Sequence, residues 1–328
     1  MPKENWQKIK LLKLVDLLRQ ETDEQHPLTT AQICERLKEM DIPCDRRILS
    51  KDIELLNDNG IEVLWTWVGK GKGYYIEDRN FSVPELKILI DSVQAASFIT
   101  EKKTKELVNK IASQGGTNRA TILKSNLAHF NTRKHTNESI YYNVDAIEDA
   151  IQRRKKIIFQ YYELNMKGKR AYRRDGHHYV VEPVALVYNE DNYYAVVYSS
   201  RHNNTANYRV DRMDNVEVID EDISEKTLAL RDSVGKYTEQ AIKMYGGELQ
   251  TIILEFDIKL IGTVYDRFGE KISMMPAGID KVAATVDVQI SSTFWGWLFR
   301  FGKQMRVISP EIVVKEQRNR IEELMGQV

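Results

Sequence analysis

The chain has 328 residues, 42% of them apolar, and its 48 Lys and Arg offset 48 Asp and Glu to a formal net charge of zero. That length allows two or three domains with cores of their own. The strongest apolar run, "FWGWLFRFG" from Phe294, is too short for a bilayer span and is broken by Arg300. The N-terminal stretch reads as an amphipathic helix rather than a signal peptide, and Cys34 and Cys44 form no CxxC, so a reduced, cytoplasmic, non-membrane chain is expected.

In chain order, Ile9, Leu12, Leu14, Val15 and Leu18 recur at helical spacing. "PLTTAQICERLKEM" follows, with Thr29 and Gln32 as a capping box and Ile33, Leu37 and Met40 as one stripe; Cys34 is expected there as a small buried side chain. In "CDRRILSKDIELLNDNG", Asp45 caps a third helix, Leu49, Ile53 and Leu56 face inward, and Asn59-Gly60 ends it. "IEVLWTWVGKGKGYYI" reads as a hairpin with a basic tip.

Three short helices and such a hairpin make the pattern of a winged helix-turn-helix, whose last helix enters the DNA major groove. The candidate DNA contacts are Thr29 and Thr30 at the second helix, Arg46, Arg47, Ser50 and Lys51 on the third, and the hairpin lysines Lys70 and Lys72. Arginine reads guanine edges and lysine mainly meets phosphate. Residues 1–80 hold 13 bases and 15 acids, so the same fold used only for protein contacts is the alternative.

Residues 81–135 read as a helical spacer: a helix capped by Ser82 and Glu85, a second from Thr100 to about Ser113, and a third from Ala120 to about His129. These helices either pair with a second copy, giving a homodimer on a two-fold operator, or pack as an internal bundle.

Residues 151–178 carry nine bases against two acids, which points to a polyanion partner. Short alternating runs follow from Ile157 to Asp220, with Ile157, Phe159 and Tyr161 on one side of the first. Their number and spacing indicate a small SH3-like or Sm-like barrel. His177 and His178 are adjacent, so a strand turns them to opposite faces and a metal site using both is not expected.

In "DNYYAVVYSSRHNNTANYRVDRM", Tyr193-Tyr194-Ala195 stands where the WYL domain family has Trp-Tyr-Leu, and "YRVDRM" resembles that family's later aromatic-Arg-x-Asp-Arg-Ile motif. "DRRILSKDIELLNDNG" and "GKGYYI" are similar to the DNA-binding domains of WYL regulators, and the order of parts is similar throughout the chain. The resemblance implies a ligand-sensing transcription factor; a repressor is favoured over an activator although no residue decides it, and some members of the family sit with phage-defence or DNA-damage genes. Its sensing domain would take a nucleotide or single-stranded nucleic acid at Tyr194, Arg209 and Arg212, with Tyr193, in place of the signature's tryptophan, as a further candidate. Arg201 and His202 are added on chemical grounds, since a ring stacks a base and a guanidinium binds phosphate. Asp211 is a candidate to tie down a neighbouring arginine.

Residues 226–328 alternate strands and helices in a βαββαβ-like order, as in a ferredoxin-like sandwich and the C-terminal extension of WYL regulators. Trp295, Trp297, Phe299 and Phe301 are expected in core and interface. The expected fold class is thus α+β multidomain: winged helix-turn-helix (1–80), helical spacer (81–135), SH3/Sm-like WYL barrel (136–225) and ferredoxin-like domain (226–328). No metal-type carboxylate pair, P-loop or nucleophile–histidine signature stands out, so a non-enzyme without cofactor or metal is expected. The alternative is a nucleic-acid-binding adaptor with no specific operator.

Overall fold

The computed structural model describes residues 3–125, 132–134, 137–189, 191–231 and 248–326, with side chains from residue 8 onward. The chain divides into two units, residues 1–136 and 137–328.

The first unit begins with α1 (Lys3–Glu21), β1 (Leu28–Thr29), α2 (Thr30–Glu39), α3 (Arg46–Asp58), β2 (Leu64–Val68) and β3 (Gly71–Tyr75). The Thr29–Gln32 capping box is formed, with Thr29 N–H donating to Gln32 Oε1 at 2.9 Å. Asp45 Oδ1 accepts from Arg47 N–H at 2.8 Å and starts α3, which gives way to Gly60 at φ 83°. Leu14 and Leu18 of α1 meet Ile33, Leu37, Leu49 and Ile53 in one core. Leu12, read on the same stripe, is exposed, because two residues turn a helix by about 200° from Leu14. Lys10 Nζ and Asp52 Oδ2, 2.5 Å apart and nearly buried, tie α1 to α3. The strands order β1-β3-β2, and Gly69 at φ 60° opens the two-residue turn between β2 and β3, as a type II′ turn requires.

The spacer elements α4 (Val83–Ala95), α5 (Glu101–Ser113) and α6 (Thr117–Ser125) pack through Leu86, Ile90, Val108, Ala112, Ala120 and Leu123. The internal-bundle arrangement is therefore present. Lys134 Nζ donates to the carbonyls of Val93, Gln94 and Ala96 at 3.1, 2.7 and 2.7 Å, satisfying the end of α4. Residues 126–129, expected to continue the third spacer helix, lie outside the described residues.

The second unit opens with α7 (Ile140–Arg153), then β4 (Lys155–Leu164), β5 (Arg170–Tyr172), β6 (His178–Asn189), β7 (Asn192–Ser199), β8 (Asn204–Arg209), β9 (Met213–Asp222) and α8 (Glu225–Arg231). All pairings are antiparallel, in the order β5-β4-β6-β7-β8. Ile157 and Ile158 pair with both β6 and β9, which therefore flank β4. The last strand of that path, β8, runs into β9 through one 3-10 turn, Val210–Arg212, so the sheet curls into a half-barrel. Ile157, Phe159 and Tyr161 are all buried, as their alternation predicts.

The turn is clasped by side chains. Asn143 of α7, 4% exposed, donates to the carbonyls of Val210 and Met213 at 3.2 and 2.9 Å. The Asp211 carbonyl accepts from Tyr162 O–H at 2.7 Å and from Asn137 at 3.0 Å.

The remaining elements are β10 (Glu248–Asp257), α9 (Ile261–Phe268), β11 (Ser273–Gly278), β12 (Lys281–Ile290), α10 (Ser292–Phe299), β13 (Met305–Ser309) and α11 (Glu311–Met325). Their sheet orders β11-β12-β10-β13. β11 is a strand that the sequence reading did not separate. Phe294 and Trp295 lie in its core, with Trp297, Phe299 and Phe301 packed against them. The molecule is thus mixed α/β with curled antiparallel sheets. Among the described residues no helix is long and apolar enough to cross a membrane.

Replacing Asn143 by Leu keeps a similar volume but removes the side-chain donor from two buried carbonyls, of which that of Val210 keeps Met213 N–H. Urea unfolding should show a loss of about 1–3 kcal/mol. A change below about 0.5 kcal/mol, the range of a neutral surface substitution, would mean that the clasp is not what holds the turn.

Candidate functional site

The turn Val210–Arg212 separates two arginines with different fates. Arg209 Nε and Nη2 each lie 3.0 Å from a carboxylate oxygen of Asp211, and Nη2 also donates to Asn192 Oδ1 at 2.6 Å. Burial opposes the Arg209 charge, but the Asp211 carboxylate outweighs it and holds the guanidinium above its ordinary range. Asp211 therefore does tie down a neighbour, and Arg209 is part of the frame. Arg212 makes no hydrogen bond or ion pair among the described residues. It acts electrostatically on Tyr161, whose phenol is pushed up by burial against the pull of Arg209 N–H, Arg212 and Arg173.

Beside Tyr161 the half-barrel gathers rings from three strands. Tyr208 of β8 lies 5.0 Å from Tyr161 of β4 and 5.6 Å from Tyr179 of β6, centroid to centroid, with Phe159 beneath at 5.1 Å. His177 packs edge-on to Tyr179 at 5.2 Å. The Arg173 guanidinium stands 5.0 Å from the Tyr161 ring and that of Arg174 stands 6.0 Å from Tyr179. Burial pushes the Tyr208 phenol up, while Arg173 and Arg174 pull it down.

The arm carrying these arginines is strained. Arg174, Asp175 and Gly176 have φ of 50°, 53° and 80°, three consecutive residues in the left-handed region. Each non-glycine there costs roughly 1–2 kcal/mol. Gln160 Nε2 donates to the Gly176 carbonyl at 2.8 Å, and a Cβ on Gly176 would come within 3.2 Å of that nitrogen. One such hydrogen bond contributes about 0.5–1.5 kcal/mol, less than the strain it accompanies. Strain retained beside a ring cluster is a mark of a functional surface.

The structure rearranges the sequence-based site in three ways. Tyr194 is 7% exposed and packs with Val184, Val196 and Tyr198, with Leu230 of α8 against them; its parity on β7 turns it into this interior rather than onto an open face. Tyr193 points the other way and is half-buried, its ring 5.3 Å from Tyr188. Arg201 and His202 sit in the exposed turn joining β7 to β8. The ladder runs from Ser199↔Asn204 beside that turn to Tyr194↔Arg209, so five residues, or ~17 Å of strand, separate them from Arg209.

The basic run is also less basic in space than in sequence. β9 returns acids to it: Lys155 pairs with Asp220 and Asp222 at 2.6 and 2.9 Å, Lys156 with Glu221 at 3.0 Å, and Asp214, at the start of β9, takes Arg170 at 2.8 Å. Arg173 pairs with Glu163 and Arg153 with Asp149. Arg154, Lys167, Lys169 and Arg174 keep no ion-pair partner among the described residues. Tyr161, Tyr179, Arg173 and Arg174 were missed as site residues because strand pairing, not chain proximity, brings them to Tyr208.

On the first unit, Arg46, Arg47, Ser50 and Lys51 are all exposed on α3, and the three cations have no ion-pair partner among the described residues. Thr29 is committed to capping α2, and Thr30 is half-buried at its start. Lys70 is exposed at the hairpin tip, whereas Lys72 Nζ lies 3.8 Å from the Trp65 ring centroid. Trp65 and Trp67 are 46% and 66% exposed, an exposed aromatic pair that the alternation did not reveal.

Residues 142–218 match the family model of the WYL domain, so the chain contains a WYL domain, and all the rings and arginines of the patch lie inside that match. Among solved structures, the chain is similar to proteasome accessory factor B/C (PafBC) of Arthrobacter aurescens. That match has 17% identity and a TM-score of 0.28 and covers 98% of this chain and 49% of that one. The chain thus spans about half the length of PafBC. A CRISPR Cas-related protein is similar at 15% identity and a TM-score of 0.37, with 99% of this chain and 80% of that one covered. No curated protein matches the chain.

The two arginines of the turn should separate in a stability measurement. Arg209→Ala removes hydrogen bonds to a buried carboxylate and should cost about 1.5–3 kcal/mol in urea unfolding. Arg212→Ala should stay within about 0.5 kcal/mol of the parent. Equal losses would show that Arg212 is also part of the frame.

Proposed function

We propose that the protein is a cytoplasmic, ligand-responsive DNA-binding transcriptional regulator that acts as a homodimer. In this reading the first unit carries a winged helix-turn-helix, and α3 enters the major groove with Arg46, Arg47, Ser50 and Lys51. Lys70 and Lys72 of the hairpin meet phosphate. The half-barrel is the SH3/Sm-like sensor, and the last sheet is a ferredoxin-like extension. Ile88 of α4 and Ile122 of α6, both exposed, support pairing of two copies through the spacer. The reading is of a repressor, and no catalytic step belongs to it.

The observation that carries the sensor reading is the convergence of the half-buried rings of Tyr179 and Tyr208, backed by buried Tyr161, with the cations Arg174 and Arg212, which have no ion-pair partner among the described residues. Rings stack bases and guanidinium groups hold phosphates, so the fitting ligand is a nucleotide or a short single strand. Such a ligand alters DNA binding only if it prefers one conformation of the regulator over another.

A second reading is favoured by one observation. Trp65 and Trp67, with Ile48 and Leu55 on α3, expose apolar surface on the proposed DNA-binding elements. This would suit an adaptor that grips RNA or protein and has no operator.

Footprinting on the chain's own upstream region separates the two. A regulator should protect a two-fold site, and Arg46→Ala or Arg47→Ala should weaken it by about 1–3 kcal/mol where the side chain reads a base. Weak, unselective duplex binding would favour the adaptor. For the sensor, Tyr208→Leu and Arg212→Ala should each weaken binding of a labelled single-stranded oligonucleotide by about 1–3 kcal/mol while duplex binding persists. Unchanged oligonucleotide binding in both would remove the patch from the reading.

A further inference from the structure

Cys34 lies on α2, and Cys44 lies in the turn immediately before Asp45, the cap of α3. They are the only cysteines in the sequence. Each is partly buried against the core that joins α2 to α3, so Cys34 is not the sealed side chain its composition implied. Their Sγ atoms are 2.8 Å apart, well inside the roughly 3.5–4.0 Å of ordinary non-bonded carbon contact. Nothing in the proposed DNA or ligand contacts uses either sulfur.

We propose that Cys34 and Cys44 form a reversible dithiol–disulfide couple that cross-links α2 to the turn in front of α3. The oxidant fitting this pair is a peroxide. One sulfur attacks a peroxide oxygen, an S–O bond forms, the O–O bond breaks and water leaves. The second sulfur then attacks the first, the S–O bond breaks, and a second water carries away the remaining oxygen. In all, two thiols lose two electrons and two protons, and hydrogen peroxide is reduced to two waters. Burial and the hydrogen bond with Cys34 push the Cys44 thiol up to about 12. In the hydrogen bond between the two sulfurs either can be the donor, and the step balances the same way whichever attacks first. Partial exposure admits a small oxidant, and a thiol reductant reverses the step. The cross-link closes the loop 34–44 and pins the helix whose outer face carries Arg46, Arg47 and Lys51.

The test treats the full-length reduced protein with hydrogen peroxide, then measures free thiols under denaturing conditions, intact mass and migration on a non-reducing gel. The expected result is loss of both thiols, a mass lower by two hydrogens, monomeric migration, a linked peptide containing both cysteines, and full recovery with dithiothreitol. Cys34→Ser and Cys44→Ser, each with a single sulfur, should instead gain oxygen or form interchain dimers. Retention of both thiols in the parent chain, or oxygen addition and interchain dimers in place of the two-hydrogen loss, would overturn the proposal.

Discussion

The hydrogen-bonded pair Arg209–Asp211 sets the geometry of the ring-and-arginine patch of the half-barrel. Asp211 is buried, and a buried carboxylate without a partner would be costly. Two N–H groups of Arg209 satisfy it, and its own carbonyl is taken by Tyr162 and Asn137. Both carboxylate oxygens of Asp211 accept from Arg209, and among the described residues no ion pair links Asp211 to Arg212. One arginine of the "YRVDRM" segment therefore becomes part of the scaffold, and the other, Arg212, acts electrostatically on Tyr161 and has no ion-pair partner among the described residues. With Asn143 holding the carbonyls on either side, the turn that joins β8 to β9 is fixed, and with it the placement of Tyr208 against Tyr161 and Tyr179.

Charge and strain act together on the opposite side of this patch. The acids of β9 neutralise Lys155, Lys156 and Arg170, so the cations left near the rings are few and localised. Exposed ion pairs of this kind add little stability, about 0–1 kcal/mol each. Their effect is to shape the field by removing positive charge along β4 and leaving it at Arg174 and Arg212. The left-handed run Arg174–Gly176 then holds the arm in an unfavourable backbone conformation that no single contact repays. In the proposed reading, ordered rings and a fixed arm beside Arg174 and Arg212 would lower the ordering cost of binding a flat, anionic ligand.

Local rules were read correctly where local physics decides. The capping boxes at Thr29–Gln32 and Ser82–Glu85, the Asp45 cap, the Gly69 hairpin turn and the buried stripe Ile157–Phe159–Tyr161 depend on residues within a few positions of one another. The ligand surface depends on register instead. Period-two alternation says that Tyr193 and Tyr194 face opposite ways, but not which of them meets the interior; α8, more than 30 residues on, decides that by covering Tyr194. Arg201 and His202 looked close to Arg209 along the chain, yet the hairpin carries them to its far end. Charge counted over residues 151–178 could not include the acids that β9 brings back. The exposure of Trp65 and Trp67 was likewise invisible, since alternation assigns a face without saying whether anything covers it.

Binding of a base-bearing anion on Tyr179 and Tyr208, which lie over buried Tyr161, is tested most directly by ultraviolet cross-linking. The full-length protein would be irradiated with a short single-stranded oligonucleotide, and the modified peptides mapped by mass spectrometry. Adducts are expected on peptides containing His177, Tyr179 or Tyr208, reduced by competing unlabelled strand. Saturable adducts confined to α3 and the β2–β3 hairpin, with none on the half-barrel, would contradict it.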